Sequence, residues 1–211
     1  MVVVTPHLGD AVFACGELVA AHPGTVVVSV FAGIPSDAYV VPEWDATCGF
    51  SSPRQAVSVR RREDRLALET LDAEPCWLAF PDSQYRRSVS LEDVAVRLAR
   101  ALRRHQPDVV AIPLGLVPGD HELAHAAAVR LMKHIHCDWL VYDDAPPFQR
   151  GSELEPRLAA FRAQPKPVQG NPYLKRRAAE CYESLARGFV RAGRELRSWL
   201  AAPERYWVLS P

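Results

Sequence analysis

The chain has 211 residues, of which 48% are hydrophobic and 24% are charged, and its 25 lysine and arginine residues balance 25 aspartate and glutamate residues. This composition is typical of a globular domain that can bury a sizeable core. A net charge of zero excludes a strongly basic nucleic-acid-binding protein, and no apolar run approaches the roughly 20 residues of a membrane-spanning helix.

The first residues contain no basic stretch ahead of their apolar run, so we expect no signal peptide. The five cysteines are scattered and form no Cys-x-x-Cys pair, which argues against a disulfide framework or an all-cysteine zinc site. We therefore expect a cytoplasmic protein without a nucleic-acid or membrane partner. A homo-oligomer is compatible with the sequence.

Short β-branched or apolar runs alternate with helical patterns from the first residue to about residue 142. Strands are predicted at residues 2–4, 26–31, 77–80, 109–114 and 139–142. Helices are predicted at about 11–21, 53–71, 91–102 and 121–135. This alternation predicts a Rossmann-like α/β fold, a mostly parallel sheet flanked by helices, in a single domain over residues 1–211.

The remaining segments have weaker patterns. Residues 32–52 are predicted to form a long loop, and a loop of that length in a compact domain is usually functional. Residues 144–172 are rich in proline and glutamine and predict a surface excursion. One long helix is predicted over about 173–200, and residues 206–209 are predicted to close the sheet as an edge strand.

Two loops that follow predicted strands carry histidine and carboxylate side chains. His7 and Asp10 follow the first strand, and His121 and His125 follow the strand at 109–114. Ligands of such folds bind at the carboxyl ends of the strands. Two histidines and a carboxylate with an open fourth position form a catalytic zinc site. Spacing therefore predicts a zinc site of His7, Asp10 and either His121 or His125, although these residues would also suit helix starts.

Residues 121–125 read His-Glu-Leu-Ala-His, which matches the zinc-binding helix of HExxH metalloproteases. In those proteases the motif lies within a longer helix. Here Pro118, Gly119 and Asp120 precede His121, which places His121 in the first helical turn. The metalloprotease interpretation is therefore the weaker alternative.

Several short motifs follow one another in order along nearly the whole chain. They are Pro6-His7-Leu8-Gly9-Asp10-Ala11…Cys15-Gly16, Trp44-Asp45…Cys48-Gly49-Phe50, Arg60-Arg61-Arg62-Glu63-Asp64, Phe80-Pro81-Asp82…Tyr85-Arg86, Pro113-Leu114-Gly115-Leu116…Asp120-His121, Tyr142-Asp143-Asp144…Pro146, Tyr182-Glu183-Ser184 and Glu204-Arg205-Tyr206-Trp207. Together they resemble the PIG-L/LmbE-like family of zinc-dependent N-deacetylases.

The resemblance implies that His7, Asp10 and His121 bind Zn²⁺ or another divalent metal. It also implies that the substrate is a small molecule, an N-acylated amino-sugar or a specialised metabolite. Arg60 matches a position that often contacts substrate in the family, although residues 60–62 would equally suit a solvated helix face that pairs with Glu63 and Asp64. The loop position of the other candidate substrate-binding residues suggests a pocket lining or a lid. These are Trp44, Asp82 and Tyr85.

Two positions depart from the family pattern. Gly9 stands where the family has its general base, and Pro118 stands where it has a histidine that assists the tetrahedral intermediate. General acid–base catalysis contributes about 10²–10⁴-fold, so a hydrolase needs a replacement. The candidates near the metal motif are Asp120, Glu122 and His125. The alternatives are a metal-binding homologue without activity and one with a different reaction.

Overall fold

The structure is a computed structural model that describes residues 1–35, 40–85, 88–149, 151–194 and 196–209. Its strands are β1 (Val2–Thr5), β2 (Thr25–Ser29), β3 (Ala73–Trp77), β4 (Val109–Pro113), β5 (Asp138–Tyr142), β6 (Gln164–Pro165) and β7 (Tyr206–Val208). Its helices are α1 (Asp10–Ala20), α2 (Glu43–Thr47), α3 (Pro53–Thr70), α4 (Leu91–His105), α5 (Asp120–Leu131), α6 (Leu154–Phe161), α7 (Pro172–Ala179), α8 (Glu183–Arg191) and α9 (Leu196–Ala201).

The described strands form one sheet in the order β3-β2-β1-β4-β5-β7-β6. Neighbouring strands from β3 to β5 are parallel, whereas β7 is antiparallel to both β5 and β6. The predicted mostly parallel α/β fold is therefore confirmed. The chain builds outwards from β1 to β3 and then returns to β4 on the other side of β1. Such a reversal opens a crevice at the carboxyl ends of β1 and β4, where ligands of these folds bind.

The sheet is covered on both faces, which explains why its central strands are continuous β-branched runs. Val2 and Val4 point to one face and pack with α4 and α5, while Val3 points to the other and packs with α1, α3 and α7. All three valines are almost completely buried. Within the described part of the chain, no helix is both long enough and apolar enough to cross a membrane.

The predicted boundaries of two strands are wrong. β2 ends at Ser29 rather than at residue 31, and the strand predicted at 77–80 is found at Ala73–Trp77. Pro75 lies inside β3, where it pairs with Val27. Proline cannot donate a backbone hydrogen bond, so it normally argues against a strand. It is tolerated here because β3 lies at the edge of the sheet and pairs with β2 alone among the described strands.

The long helix predicted over 173–200 is interrupted twice and forms α7, α8 and α9 in the structure. The first break lies at Tyr182, whose backbone leaves the helical region and whose hydroxyl donates to Asp64 at 2.8 Å. The next helix is held at Ser184, whose backbone N–H and hydroxyl both donate to Glu63. Gly193, at φ +65°, follows the end of α8. Contacts with α3 therefore override the continuous helical pattern.

Two loop predictions and one strand prediction also need correction. The 32–52 segment contains α2, and its residues 36–39 lie outside the described ranges. The 144–172 segment is not featureless, because it contains α6 and the strand β6. β7 is not an edge strand, since β6 covers its outer side.

A buried ion pair connects the last segment of the chain to α1. The α1 helix is kinked at Cys15, which has φ −145° and ψ 29°. Glu204 accepts hydrogen bonds from the backbone N–H groups of Glu17 and Leu18 just beyond the kink. Lys175 Nζ lies 2.7 Å from Glu204 Oε1, and both side chains are less than 5% exposed. Burial raises the pKa of Glu204, while Lys175 and these hydrogen bonds oppose that rise.

Lys175→Met retains most of the side-chain volume but leaves the Glu204 carboxylate buried without its cation. Breaking a buried pair from one side costs about 3–5 kcal/mol, which lowers Tm by roughly 6–20 °C in a chain of this size. Calorimetry of the variant measures the change. The matched control is Arg177→Met, since Arg177 lies 3.8 Å from Glu180 and both are exposed. It should cost less than about 1 kcal/mol; similar losses in the two variants would contradict the prediction.

Candidate metal centre and substrate cavity

His7 lies between carboxylates at the carboxyl end of β1. Its backbone N–H donates to Asp10 Oδ2 at 3.1 Å, which tightens the turn between β1 and α1. On the imidazole, Nδ1 lies 3.2 Å from the same Asp10 oxygen, and Nε2 lies 3.0 Å from Asp120 Oδ2. Asp120 is fixed by a further hydrogen bond from the backbone N–H of Ser83.

His121 approaches the same aspartate from the neighbouring strand. It is the second residue of α5, which follows β4. His121 Nε2 lies 3.5 Å from Asp10 Oδ2, and its Nδ1 lies 2.7 Å from Asp144 Oδ2. Asp144 follows β5 and is fully buried. The turns after three adjacent parallel strands therefore meet around Asp10.

His7, Asp10 and His121 have the donor types and spacing of a metal site. Each offers one ligand atom, and these atoms all lie within 4.8 Å of one another. Ligand atoms around tetrahedral zinc are separated by about 3.4 Å, given metal–ligand bonds of about 2.1 Å. The distances from Asp10 Oδ2 to the two imidazoles, 3.2 and 3.5 Å, are close to that value.

The outer nitrogens of both imidazoles are held by carboxylates, His7 Nε2 by Asp120 and His121 Nδ1 by Asp144. Metal-binding histidines have such partners because they fix the tautomer and the ring orientation. The residues present therefore fit a divalent metal. A second possible ligand group, His7, Asp82 and Asp120, overlaps the first at His7.

The carboxylates around His7 give this region a strong preference for positive charge. Burial disfavours the imidazolium of His7, but Asp82, Asp10 and Asp120 outweigh it and raise the pKa of His7 well above its usual value. Burial would raise the pKa of Asp10, but its hydrogen bond with His7 and the charge of His121 lower it instead. A cation bound among these groups would meet the same negative field.

These residues open into a cavity of about 330 Å³, which lies within the usual size range of small-molecule sites. Its lining combines a group of polar and charged residues with a group of apolar residues. The polar and charged lining residues are His7, Asp10, Arg60, Asp82, Gln84, Tyr85, His121, Gln149 and Arg194. The apolar lining residues are Leu8, Phe13, Phe31, Trp44, Val57, Pro146, Phe148, Leu185, Phe189 and Trp199.

The structure brings all four predicted substrate-binding residues to this cavity: Trp44, Arg60, Asp82 and Tyr85. Asp45 holds two of them, since it lies 2.7 Å from Arg60 Nη1 and accepts from the Tyr85 hydroxyl at 2.9 Å. Arg60 is 6% exposed, and its Nε and Nη2 atoms have no hydrogen-bond partner among the described residues. The guanidinium also lies 5.3 Å from the centroid of the Phe50 ring, so Asp45 and Phe50 both hold Arg60 in place at the cavity. Arg86 lies outside the described residues.

The predicted catalytic residues are placed differently. Asp120 is buried and bonded to His7. Glu122 is half exposed and binds Arg157 at 3.0 Å, outside the cavity lining. His125 is buried, donates Nδ1–H to the Pro113 carbonyl at 2.8 Å, and packs edge-on against Phe161. The two histidines of the HExxH-like motif therefore do not share the cavity.

Gly9 occupies a position that a larger residue would strain. Its φ is +97°, and a Cβ there would lie 3.0 Å from Leu185 Cδ1 and 3.3 Å from Tyr182 Cε1. Its backbone N–H donates to Asp64 Oδ1 at 3.2 Å. Burial raises the pKa of Asp64 to about 6, although hydrogen bonds from Trp77, Tyr182 and Gly9 partly offset this rise. The turn that carries His7 is thus anchored to α3.

Sequence reasoning gave no role to Asp144, Asp64 or Gln84. Asp144 and Asp64 lie in two of the family-like motifs, but their partners are far away in the sequence. The sequence signal for Asp144 is its position two residues after the predicted strand at 139–142. Gln84 donates from Nε2 to Asp82 Oδ2 at 2.9 Å, and its Oε1 has no partner among the described residues.

Fold and site together define a doubly wound α/β protein with a candidate metal centre at the reversal point of its sheet. The profile of the PIG-L family, described as GlcNAc-PI de-N-acetylase, matches residues 2–132. The chain belongs to the PIG-L family, which confirms the resemblance inferred from its motifs.

Solved structures with the same fold cover nearly the whole chain. The A40926 pseudoaglycone deacetylase Dbv21 has a TM-score of 0.80 at 21% identity, covering 99% of this chain and 95% of that one. The zinc-inhibited form of the teicoplanin deacetylase Orf2 has a TM-score of 0.79 at 21% identity, covering 99% and 97%. GalB, a 4-carboxy-2-hydroxymuconate hydratase from Pseudomonas putida KT2440, has a TM-score of 0.60 at 19% identity, covering 100% and 95%. No curated protein sequence matches the chain.

Gly9→Ala should destabilise the protein more than the same change at Gly24. Both glycines have positive φ, but a Cβ at Gly24 has nothing within 4 Å. Gly24→Ala is therefore expected to cost about 1–2 kcal/mol from backbone strain alone. Crowding against Leu185 and Tyr182 should add roughly 1–3 kcal/mol at Gly9. Urea unfolding measures both costs, and equal values would show that position 9 is not crowded.

Proposed function

We propose that this chain is a zinc-dependent N-deacetylase that hydrolyses an N-acyl group on an amino-sugar or a related small metabolite. The observation that carries the proposal is the His7–Asp10–His121 group at the polar end of the cavity, with a carboxylate behind each imidazole. Family membership supports the reaction class. The solved neighbours named as teicoplanin and A40926 pseudoaglycone deacetylases support a small-molecule substrate.

His7, Asp10 and His121 would hold the metal, with Asp120 and Asp144 as positioning residues behind the two histidines. When bound, a divalent metal would supply Lewis acidity that polarises the amide carbonyl and acidifies water. Zinc is the first choice because two imidazoles and one carboxylate with an open position suit it.

Asp82 is the best-placed replacement for the missing general base. Within the described cavity lining, Asp10 and Asp82 are the carboxylates, and Asp10 is assigned to the metal. Asp82 Oδ2 lies 3.8 Å from His7 Nε2, so Asp82 is next to a proposed metal ligand, on the side of the imidazole that faces Asp120. The backbone N–H and the side-chain amide of Gln84 each donate to Asp82 at 2.9 Å and orient its carboxylate. Asp82 would accept the proton of the attacking water and deliver it to the leaving amine.

Arg60 would position the substrate. Arg60 lines the cavity, and its guanidinium carries donors that suit an acceptor oxygen of the substrate, such as a sugar hydroxyl or a carboxylate. Asp45 fixes the guanidinium through Nη1, which leaves these donors oriented before a ligand binds. Such pre-organisation lowers the entropy cost of holding the amide beside the metal.

The second candidate is a homologue that binds metal but does not hydrolyse amides. Gly9 and Pro118 favour it, because they stand at the two positions where the family has proton-transferring side chains, and neither residue can transfer a proton. The hydratase GalB has the same fold and a different named reaction, so the fold does not fix the chemistry. Metal binding without acetate release from any N-acyl substrate would establish this alternative.

Asp144→Asn should weaken metal binding. Loss of the carboxylate behind a metal-binding histidine typically costs 10–100-fold in affinity, and we expect that decrease for Zn²⁺. Competition with a chromophoric chelator measures the dissociation constant, with Co²⁺ and Mn²⁺ as comparison metals. Asp143→Asn is the matched control, because the adjacent Asp143 binds Arg205 and should leave affinity within threefold. Unchanged affinity in folded Asp144→Asn would contradict the assigned ligand set.

Asp82→Asn should lower kcat by about 10²–10⁴-fold, the usual value of a general base, while the zinc content stays the same. Acetate release from N-acetylglucosamine conjugates and metal analysis of the same samples measure both. Glu122→Gln is the control, since Glu122 lies outside the cavity lining, and its activity should stay within twofold. Activity lost in Glu122→Gln but retained in Asp82→Asn would reverse the assignment.

A further inference from the structure

The apolar side of the cavity is a continuous group of aromatic rings, which we call the aromatic wall: Phe13, Trp44, Phe148, Phe189 and Trp199. Each ring contacts another. Phe13 stacks on Trp199 with centroids 5.0 Å apart, and Trp44 meets Phe189 edge-on at 5.5 Å. Phe148 meets Phe189 at 5.8 Å and Trp199 at 6.5 Å. The wall is therefore packed in place and does not depend on a ligand for its shape.

Three of these rings lie in a part of the chain beyond residues 2–132, which the family profile matches. Phe148 lies in a short turn after β5, Phe189 on α8 and Trp199 on α9. The polar side of the cavity, in contrast, is formed mainly by residues inside the matched range. The C-terminal helices thus supply much of the apolar lining beside the proposed metal centre.

Phe148 differs from the rest of the wall because much of its ring is in contact with solvent. It is 40% exposed, whereas Phe189 is 8% and Trp199 is 6% exposed. The guanidinium of Arg194 lies 5.7 Å from its centroid and also lines the cavity. A large ring that is exposed inside a cavity offers apolar area that a ligand can cover.

The apolar surface extends to the metal centre itself. Leu185 and Phe13 line the cavity, and they lie 3.0 and 3.4 Å from the point where a Cβ at position 9 would be. Apolar groups therefore occupy the space beside Gly9, where the family pattern would place a carboxylate. A substrate whose amide reaches His7 and His121 would have this apolar surface on one side.

We propose that the substrate carries an alkyl or aryl group next to its N-acyl bond, and that the aromatic wall binds this group. The proposal rests on the proposed function and names the substrate class of that site. Burial of each methylene group contributes roughly a threefold to fourfold gain in binding. An unsubstituted N-acetyl sugar would leave the wall uncovered and should be a poor substrate. The alkyl or aryl group can lie on the acyl side or on the amine side of the amide, and two substrate series, one varied on each side, separate these cases.

The experiment uses the zinc-loaded full chain and two substrate series. In one, glucosamine carries acyl groups from acetyl to octanoyl. In the other, the acetyl group is constant and the amine carries alkyl or phenylalkyl groups of increasing length. We expect kcat/KM to rise about threefold per methylene in one series until the wall is covered. Phe148→Ala should reduce the total rise at least tenfold.

Val190→Ala is the matched control. Val190 lies on α8 next to Phe189 but is 77% exposed and outside the cavity lining, so it should retain the full rise. Titration calorimetry with n-alkylamines from butyl to decyl gives a readout that does not need turnover. Their affinity should increase with length in the wild type and increase less in Phe148→Ala.

The outcomes separate the two proposals. Turnover with a flat dependence on length in both series would overturn the aromatic-wall proposal and leave the deacetylase function intact. No turnover of any substrate by the zinc-loaded protein would overturn the deacetylase function. In that case the calorimetry decides alone, and affinity that does not depend on alkyl length would overturn the aromatic-wall proposal as well.

Discussion

The arrangement of the site depends on one carboxylate oxygen, Asp10 Oδ2, which lies 3.2 Å from His7 and 3.5 Å from His121. Asp10 is the first residue of α1 and His121 the second residue of α5. They meet because β1 and β4 are adjacent at the point where the strand order reverses. The carboxylates behind the two imidazoles, Asp120 and Asp144, then fix the ring orientations.

The C-terminal third of the chain has two connected roles around this centre. Tyr182 donates to Asp64 of α3, and Ser184 donates to Glu63 of the same helix. Asp64 also accepts from the backbone N–H of Gly9 and so fixes the loop between β1 and α1. The contacts of Tyr182 and Ser184 lie at the break between α7 and α8, and rings of α8 and α9 line the cavity. The segment that supports the metal-binding turn therefore also supplies the apolar side of the site. This packing leaves little room at Gly9, because a Cβ there would lie 3.0 Å from Leu185 Cδ1.

Much of the fold could be predicted because its signals are local. The alternation of β-branched runs with helical patterns gave the parallel sheet, and Ser52 and Ser90 cap α3 and α4 as their sequence positions suggest. The edge strand β3 was displaced because Pro75 argues against a strand unless its place in the sheet is known. The length of the last helix was overestimated because its periodicity contains no information about contacts with α3.

The sequence by itself determined the fold class, the family and the residue types of a metal site, since these follow from short-range patterns and motif order. The tertiary structure decided which of the nearby polar groups reach the cavity. It brings Asp82 beside His7 and places Glu122 and His125 outside the lining, although the latter two are much closer to His121 in the sequence. The reason is physical: on adjacent parallel strands, side chains distant in sequence share one sheet edge. On α5, Glu122 points away from the face of His121, and His125 lies one turn further on, where it binds the Pro113 carbonyl.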